Sequence, residues 1–136
     1  MADASAVDTN VLVAAVIRDH EHHDLAGAAA ASASHVLGQV AVEAWSVLRR
    51  HFRLPVDTVA TLITDYVDER TLVAPPVDAY RDVLRTGRAA ALAGNVHDAV
   101  IVSTAQRTGL RLSTLDVGVQ RLADGVVAWD LLTPRP

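Results

Sequence analysis

The stretch Ser5-Ala6-Val7-Asp8-Thr9-Asn10-Val11-Leu12-Val13-Ala14-Ala15-Val16-Ile17-Arg18-Asp19 decides the fold. Its first three residues form a small, apolar run that reads as a short strand. Beyond Asp8, apolar residues fall at Val11, Leu12, Ala15 and Val16, the i, i+1, i+4, i+5 spacing of one helix face. A carboxylate therefore stands at the seam between a buried strand and a buried helix. Asp is a good helix N-cap, so capping alone could account for it.

The same alternation continues along the chain. Short apolar runs at 5–7, 35–38, 71–76, 110–114 and 126–130 read as strands, and stretches over 9–31, 39–53, 56–69, 77–92 and 98–108 read as helices. Pro55 and Pro76 break the pattern near helix starts. This order implies an α/β fold, a parallel sheet with helices on both faces. Sites in such folds form at the carboxyl ends of the strands, where Asp8 lies. The 136 residues are one domain's worth, so a single domain over 1–136 is expected.

Composition narrows the chemistry. With half the residues hydrophobic but few aromatic, the core is built from Ala, Val and Leu. The absence of cysteine removes disulfides, thiolate zinc sites and cysteine nucleophiles. All 12 basic residues are arginine, which excludes Walker-type loops and Schiff-base chemistry, both of which need lysine. A net charge of −4 argues against holding nucleic acid by bulk electrostatics, so any such contact must be local. The longest apolar run, Val11 to Ile17, falls far short of the ~20 residues that span a bilayer, and a soluble cytoplasmic protein is expected.

Three more acids bear on the site. Asp98 shares its helix face with Ile101, Val102 and Ala105, so its carboxylate sits on an apolar stripe. An unpaired charge there needs a cation, a protonation shift or a helix N-terminus. Asp116 follows the fourth strand in Arg111-Leu112-Ser113-Thr114-Leu115-Asp116, where Thr114 and Asp116 could both cap a short helix over 116–122. Asp8, Asp98 and Asp116 all follow or face strand ends. Carboxylates converging at one rim need a divalent cation, and hard oxygen ligands select Mg²⁺ or Mn²⁺. Glu43 lies at the border of an apolar face made by Val40, Ala41, Ala44, Trp45, Val47, Leu48 and Phe52, and periodicity alone reads it as solvated.

The segments Val7–Val13, Gly94–Gln106 and Leu112–Asp116, with a glutamate in the helix after the second strand, resemble the four acidic landmarks of PIN-domain ribonucleases, especially the VapC toxins of bacterial toxin–antitoxin modules. The resemblance spans Val7 to Trp129. It implies a three-layer PIN-like fold with a five-stranded parallel sheet, and a metal-dependent endoribonuclease whose acids map to Asp8, Glu43, Asp98 and Asp116. It also implies homodimerisation and an antitoxin partner that covers the site. Many relatives carry an acid two positions and an aromatic residue three positions after the last acid, where this chain has Gly118 and Val119.

Mechanism then follows from charge. One or two Mg²⁺ ions supply a water nucleophile and relieve charge on the leaving oxygen of an RNA phosphodiester. Asp8 and Asp98 would ligate directly, Glu43 would orient or deprotonate the water, and Asp116 would act through water or on a second ion. Asn10 and Thr114 would orient the acids. Two arginine clusters, Arg49/Arg50/Arg53 and Arg81/Arg85/Arg88, are candidates for phosphate. His20, His22 and His23 could be read as a zinc site but more simply as a solvated run, and His97 could touch substrate. Competing readings are a housekeeping RNA-processing nuclease without an antitoxin, a catalytically silent PIN-like binding module, and a phosphatase on a similar sheet. The last lacks the second acid two residues after Asp8, where Asn10 stands.

Overall fold

Five strands of three or four residues each pass into helices or pair in parallel, in a computed structural model that describes residues 3–86, 96–116 and 129–132. In chain order the elements are β1 (Ser5–Val7), α1 (Thr9–Val16), α2 (His23–Ser32), β2 (His35–Leu37), α3 (Gly38–Arg50), α4 (Val56–Asp68), β3 (Thr71–Val73), α5 (Val77–Thr86), α6 (Val96–Thr108), β4 (Arg111–Thr114) and β5 (Trp129–Leu131). The end of the helix expected over 77–92, with Arg88, lies outside the described residues, as does the short helix expected over 116–122 beyond Asp116.

The helix expected over 9–31 is two helices. Ile17 adopts an extended conformation, and turns through His20 and His23 reverse the chain. The polar run from Arg18 to His23 has nothing to bury and so cannot extend the apolar face. The His23 ring nitrogen Nδ1 lies 3.0 Å from the Ala14 carbonyl, one of the last-turn acceptors that α1 leaves without an intrahelical partner.

The strands are parallel, as expected, but they do not form one five-stranded sheet. β1, β4 and β5 make one sheet in the order β1-β4-β5, and β2 and β3 make another. Val7 is in register with Ser113, and Leu37 with Val73. Where β1 meets β2, a serine interrupts the ladder. The Ser34 N–H donates to the Ser5 carbonyl (3.1 Å), but the Ser5 N–H is taken by Ser34 Oγ (2.9 Å) rather than by a backbone carbonyl. At the opposite edge Arg111 grips Asp130 with two guanidinium nitrogens, at 2.5 and 2.6 Å, and holds that carboxyl below the usual range.

One apolar core underlies both sheets. Leu12, Leu37, Leu48, Ile101 and Leu112 are fully buried among alanines and valines. Trp45, expected on the buried face of α3, is partly exposed. Gly109 ends α6 with φ of 68°, a left-handed conformation that glycine adopts without strain. Among the described residues no helix is long and apolar enough to cross a membrane.

Arg70, between α4 and β3, closes the C-terminus of α2. Its guanidinium donates to the carbonyls of Ala33 (3.0 Å), Ala30 (2.9 Å) and Tyr66 (3.1 Å) and stacks 3.8 Å above the Tyr66 ring. Arg70→Ala is expected to cost on the order of 2–3 kcal/mol in urea unfolding, since it strands several carbonyls at once. Arg70→Lys should recover less than half of this loss, because an ammonium lacks the planar fork that reaches them together. Full recovery by lysine would mean that charge, not the fork, is what α2 requires.

Candidate active site

Asp8 leaves β1 and caps α1. Its N–H bonds the Ser113 carbonyl (3.0 Å), which continues the β1–β4 ladder by one rung, while Oδ1 accepts the Val11 N–H (3.1 Å) and Oδ2 accepts the Thr114 hydroxyl. The residue is only 2% exposed. Burial pushes its carboxyl up to about 7 against the bonds from Thr114 and Val11, and the charges of Asp98 and Asp116 push the same way. The capping role open to Asp8 from sequence is therefore realised, in a setting that disfavours the charge of the cap.

Thr114 links two acids. It ends β4 fully buried, donates to Asp8, and accepts the backbone N–H of Asp116 at Oγ1 (2.9 Å). Asp116 is thereby held beside the end of β4, half-buried.

Asp98 stands in the first turn of α6, where its stripe neighbours Ile101, Val102 and Ala105 are buried, as the spacing required. Desolvation pushes its carboxyl up to about 6, Asp116 and Glu43 add to the shift, and His97 opposes it.

Glu43 is not the solvated acid that periodicity implied. Its Oε2 accepts the Thr9 hydroxyl (2.8 Å), its Oε1 accepts the Gln39 amide (3.2 Å), and His97 Nδ1 lies 3.4 Å from Oε1. The Gln39 amide nitrogen is in turn 2.7 Å from His97 Nδ1. Sequence reasoning missed Thr9 and Gln39. Gln39 was findable as the i, i+4 partner of Glu43 on one helix, whereas Thr9 meets Glu43 only through the fold.

Asp8 thus interacts with Asp98 and Asp116, and Asp98 with Asp116 and Glu43. The four acids share one electrostatic neighbourhood without closing on a point. Among the described residues, no group of three or more His, Asp or Glu side chains is close enough to hold one ion. The donor set, carboxylate oxygens without thiolate or clustered imidazole, fits a hard divalent cation.

The surrounding residues sort differently from expectation. Asn10 is exposed at the rim, and the side chain of this turn that reaches an acid is Thr9. Arg49 is turned inward to the Leu54 carbonyl (2.7 Å), which leaves Arg50 and Arg53 as the exposed pair of that cluster. Arg81 and Arg85 are exposed on α5, with Arg81 3.8 Å from Asp78. The histidine run forms the α1–α2 corner, where His20 Nδ1 accepts the His22 N–H (3.1 Å), and it makes no three-ligand metal site.

Parallel strands and helices that gather four acids into one neighbourhood define an α/β class, and the sequence matches the PIN domain family model over residues 6–125: the chain belongs to the PIN domain family. Solved structures share the fold. VapC20 of Mycobacterium tuberculosis, described as a sarcin–ricin loop cleaving toxin, superposes with a TM-score of 0.71 at 18% identity, covering 91% of this chain and 97% of its own. VapBC2 of Rickettsia felis, solved bound to a DNA fragment from its promoter, gives 0.69 at 11% identity over 96% and 99%. FitAcB of Neisseria gonorrhoeae gives 0.63 at 19% over 91% and 94%. No curated protein sequence matches significantly.

Proposed function

We propose that this chain is a Mg²⁺-dependent endoribonuclease and the toxin of a toxin–antitoxin pair. The observation that carries the reading is the mutual coupling of Asp8, Asp98, Asp116 and Glu43 at the strand ends of a PIN domain. The likeness to VapC20, and to VapBC2 solved with promoter DNA, supports the toxin assignment and an antitoxin partner. Mn²⁺ could replace Mg²⁺, because both prefer oxygen ligands.

Asp8 and Asp98 would hold the ion directly, and Asp116 would act through water or on a second ion. When bound, the ion supplies an activated water and relieves charge at the leaving oxygen. Thr114 fixes Asp8 so that the carboxylate cannot rotate away, and its other bond ties Asp116 to the same hydroxyl. Glu43, fixed by Thr9 and Gln39, orients the attacking water and accepts its proton on a carboxylate oxygen. Cation binding requires Asp8 and Asp98 as anions, so it releases protons near neutral pH. The exposed Arg50 and Arg53 offer guanidinium forks to the RNA backbone. Apolar side chains exposed on α3 and α4 (Val42, Leu62) and on α5 (Val77, Leu84) supply separate surfaces for an antitoxin and a second copy of the chain.

Purified protein is expected to cut RNA only with Mg²⁺ or Mn²⁺ and to leave 5′-phosphate and 3′-hydroxyl ends, since water and not the 2′-hydroxyl attacks. End-labelled RNA incubated with each cation or with chelator, followed by end-group analysis, tests this. Full activity in excess chelator, or cyclic phosphate ends, would sink the mechanism.

A further inference from the structure

A cavity of about 330 Å³ lies between α1 and the end of α3, lined by Asn10, His20, His22, His51, Phe52 and Leu115 among others. Two of its walls continue the segments that carry the site: Asn10 follows Asp8 by two residues, and Leu115 lies between Thr114 and Asp116. The lining contains no arginine to grip a phosphate, and among the described residues its histidines form no group that could hold a metal ion. It is built from rings. His51 and Phe52 meet edge to face with centroids 4.8 Å apart, and His20 and His22 are 5.7 Å apart. His20 Nδ1 accepts a backbone N–H, which leaves the proton of the neutral ring on Nε2 as a donor, and the Asn10 amide can both donate and accept.

We propose that this cavity receives one unstacked base of the RNA, that of a nucleotide flanking the scissile phosphate. RNA-binding proteins read single strands by splaying bases onto Phe and His rings and hydrogen-bonding their edges, the two kinds of group that converge here. The inference rests on the nuclease reading for its substrate class. It goes beyond that reading in assigning sequence selection to the corner between α1 and the end of α3, with the exposed His51 ring as the stacking face, braced edge-on by Phe52, and His20 and Asn10 as edge readers.

The test uses a fluorescein-labelled single-stranded RNA of mixed sequence, made with each nucleotide in turn abasic. Binding is measured by anisotropy with the full-length Asp98→Asn protein in Mg²⁺, and cleavage with the wild type. One abasic position is expected to weaken binding roughly 5- to 100-fold, the range for losing one stacked base. His51→Ala, at an exposed position, and Phe52→Leu, checked for folding by thermal melt, should weaken binding to intact RNA and no longer sense that position. If no position matters, or the sensitive position survives in both variants, the cavity is not a base site, although Mg²⁺-dependent cleavage would keep the nuclease reading. If binding is base-dependent and both variants lose that dependence but the wild type cuts nothing, the cavity holds a base, while the nuclease reading and the placement of that base beside a scissile phosphate fall. Failure both to bind and to cut overturns both.

Discussion

Asp98→Asn and Asp8→Asn are each expected to reduce RNA cleavage by more than about 100-fold, beyond what loss of an outer partner costs a metal site. Asn preserves shape and removes the charge that a divalent ion requires. Asp116→Asn should cost less, because Asp116 is assigned to water-mediated or second-ion coordination. Asp8→Asn keeps the cap, since asparagine caps helices about as well as aspartate and can still accept the Val11 N–H, while its amide nitrogen replaces the oxygen that accepts the Thr114 hydroxyl. The readouts are the single-turnover rate on labelled RNA and growth arrest on expression without a partner, with circular dichroism to show that each variant folds. Wild-type rates in Asp98→Asn would remove this residue from the site. A silent Asp116→Asn would mean that the chain, with Gly118 and Val119 in place of the usual acid and aromatic, has dispensed with the fourth ligand.

The second large effect is on stability, and its sign reverses with the cation. The folded protein holds a proton on Asp98 up to about pH 6 and on Asp8 up to about pH 7, both above the ordinary 3.8. Folding therefore favours the protonated acids. Their contribution is complete below about pH 4 and is lost as pH rises through 6 and 7. Asp98→Asn has no such charge to bury. In chelator it should melt above the wild type at pH 7.5, and the gap should close as pH falls to about 4. Added Mg²⁺ should restore the wild type by RT ln(1 + [L]/Kd), roughly 2.7 kcal/mol at a hundredfold excess over Kd, and help the variant much less. Thermal melts of both proteins across this pH range, with chelator and with Mg²⁺, decide it. A variant less stable than wild type in chelator, with equal gains from Mg²⁺, would make Asp98 a structural helix-start acid.

What the sequence carried and what it hid follow from the range of the forces involved. The strand-to-helix seam at Asp8 and the buried stripe of Asp98 were legible because each is set by residues within one or two turns. The boundaries of α3, α4 and α6 were legible for the same reason. Glu43 was legible only through the family resemblance and not from periodicity, because the hydroxyl that holds it belongs to Thr9, 34 residues away. The break at Ile17 was masked by an alanine-rich segment that supports helix on both sides of a polar run. The interruption between β1 and β2 turns on one serine hydroxyl, and no periodicity reports which way that hydroxyl points. The inward turn of Arg49 was equally hidden, since a basic run at a helix end reads as a solvated face until a carbonyl claims one member.

The Ser34 interruption has a mechanical consequence. Asp8 and Asp116 ride on the frame of β1 and β4, whereas Glu43 rides on α3, which springs from β2 in the other frame. Between the frames, side-chain packing, the Ser5–Ser34 bonds and the Thr9–Glu43 bond do the joining that a continuous ladder does elsewhere. Packed layers shear by small amounts without breaking anything, which a hydrogen-bonded ladder cannot do. The spacing of Glu43 from the aspartates is therefore set by packing and a few single hydrogen bonds between the frames, whereas Asp8 and Asp116 are tied through one threonine hydroxyl.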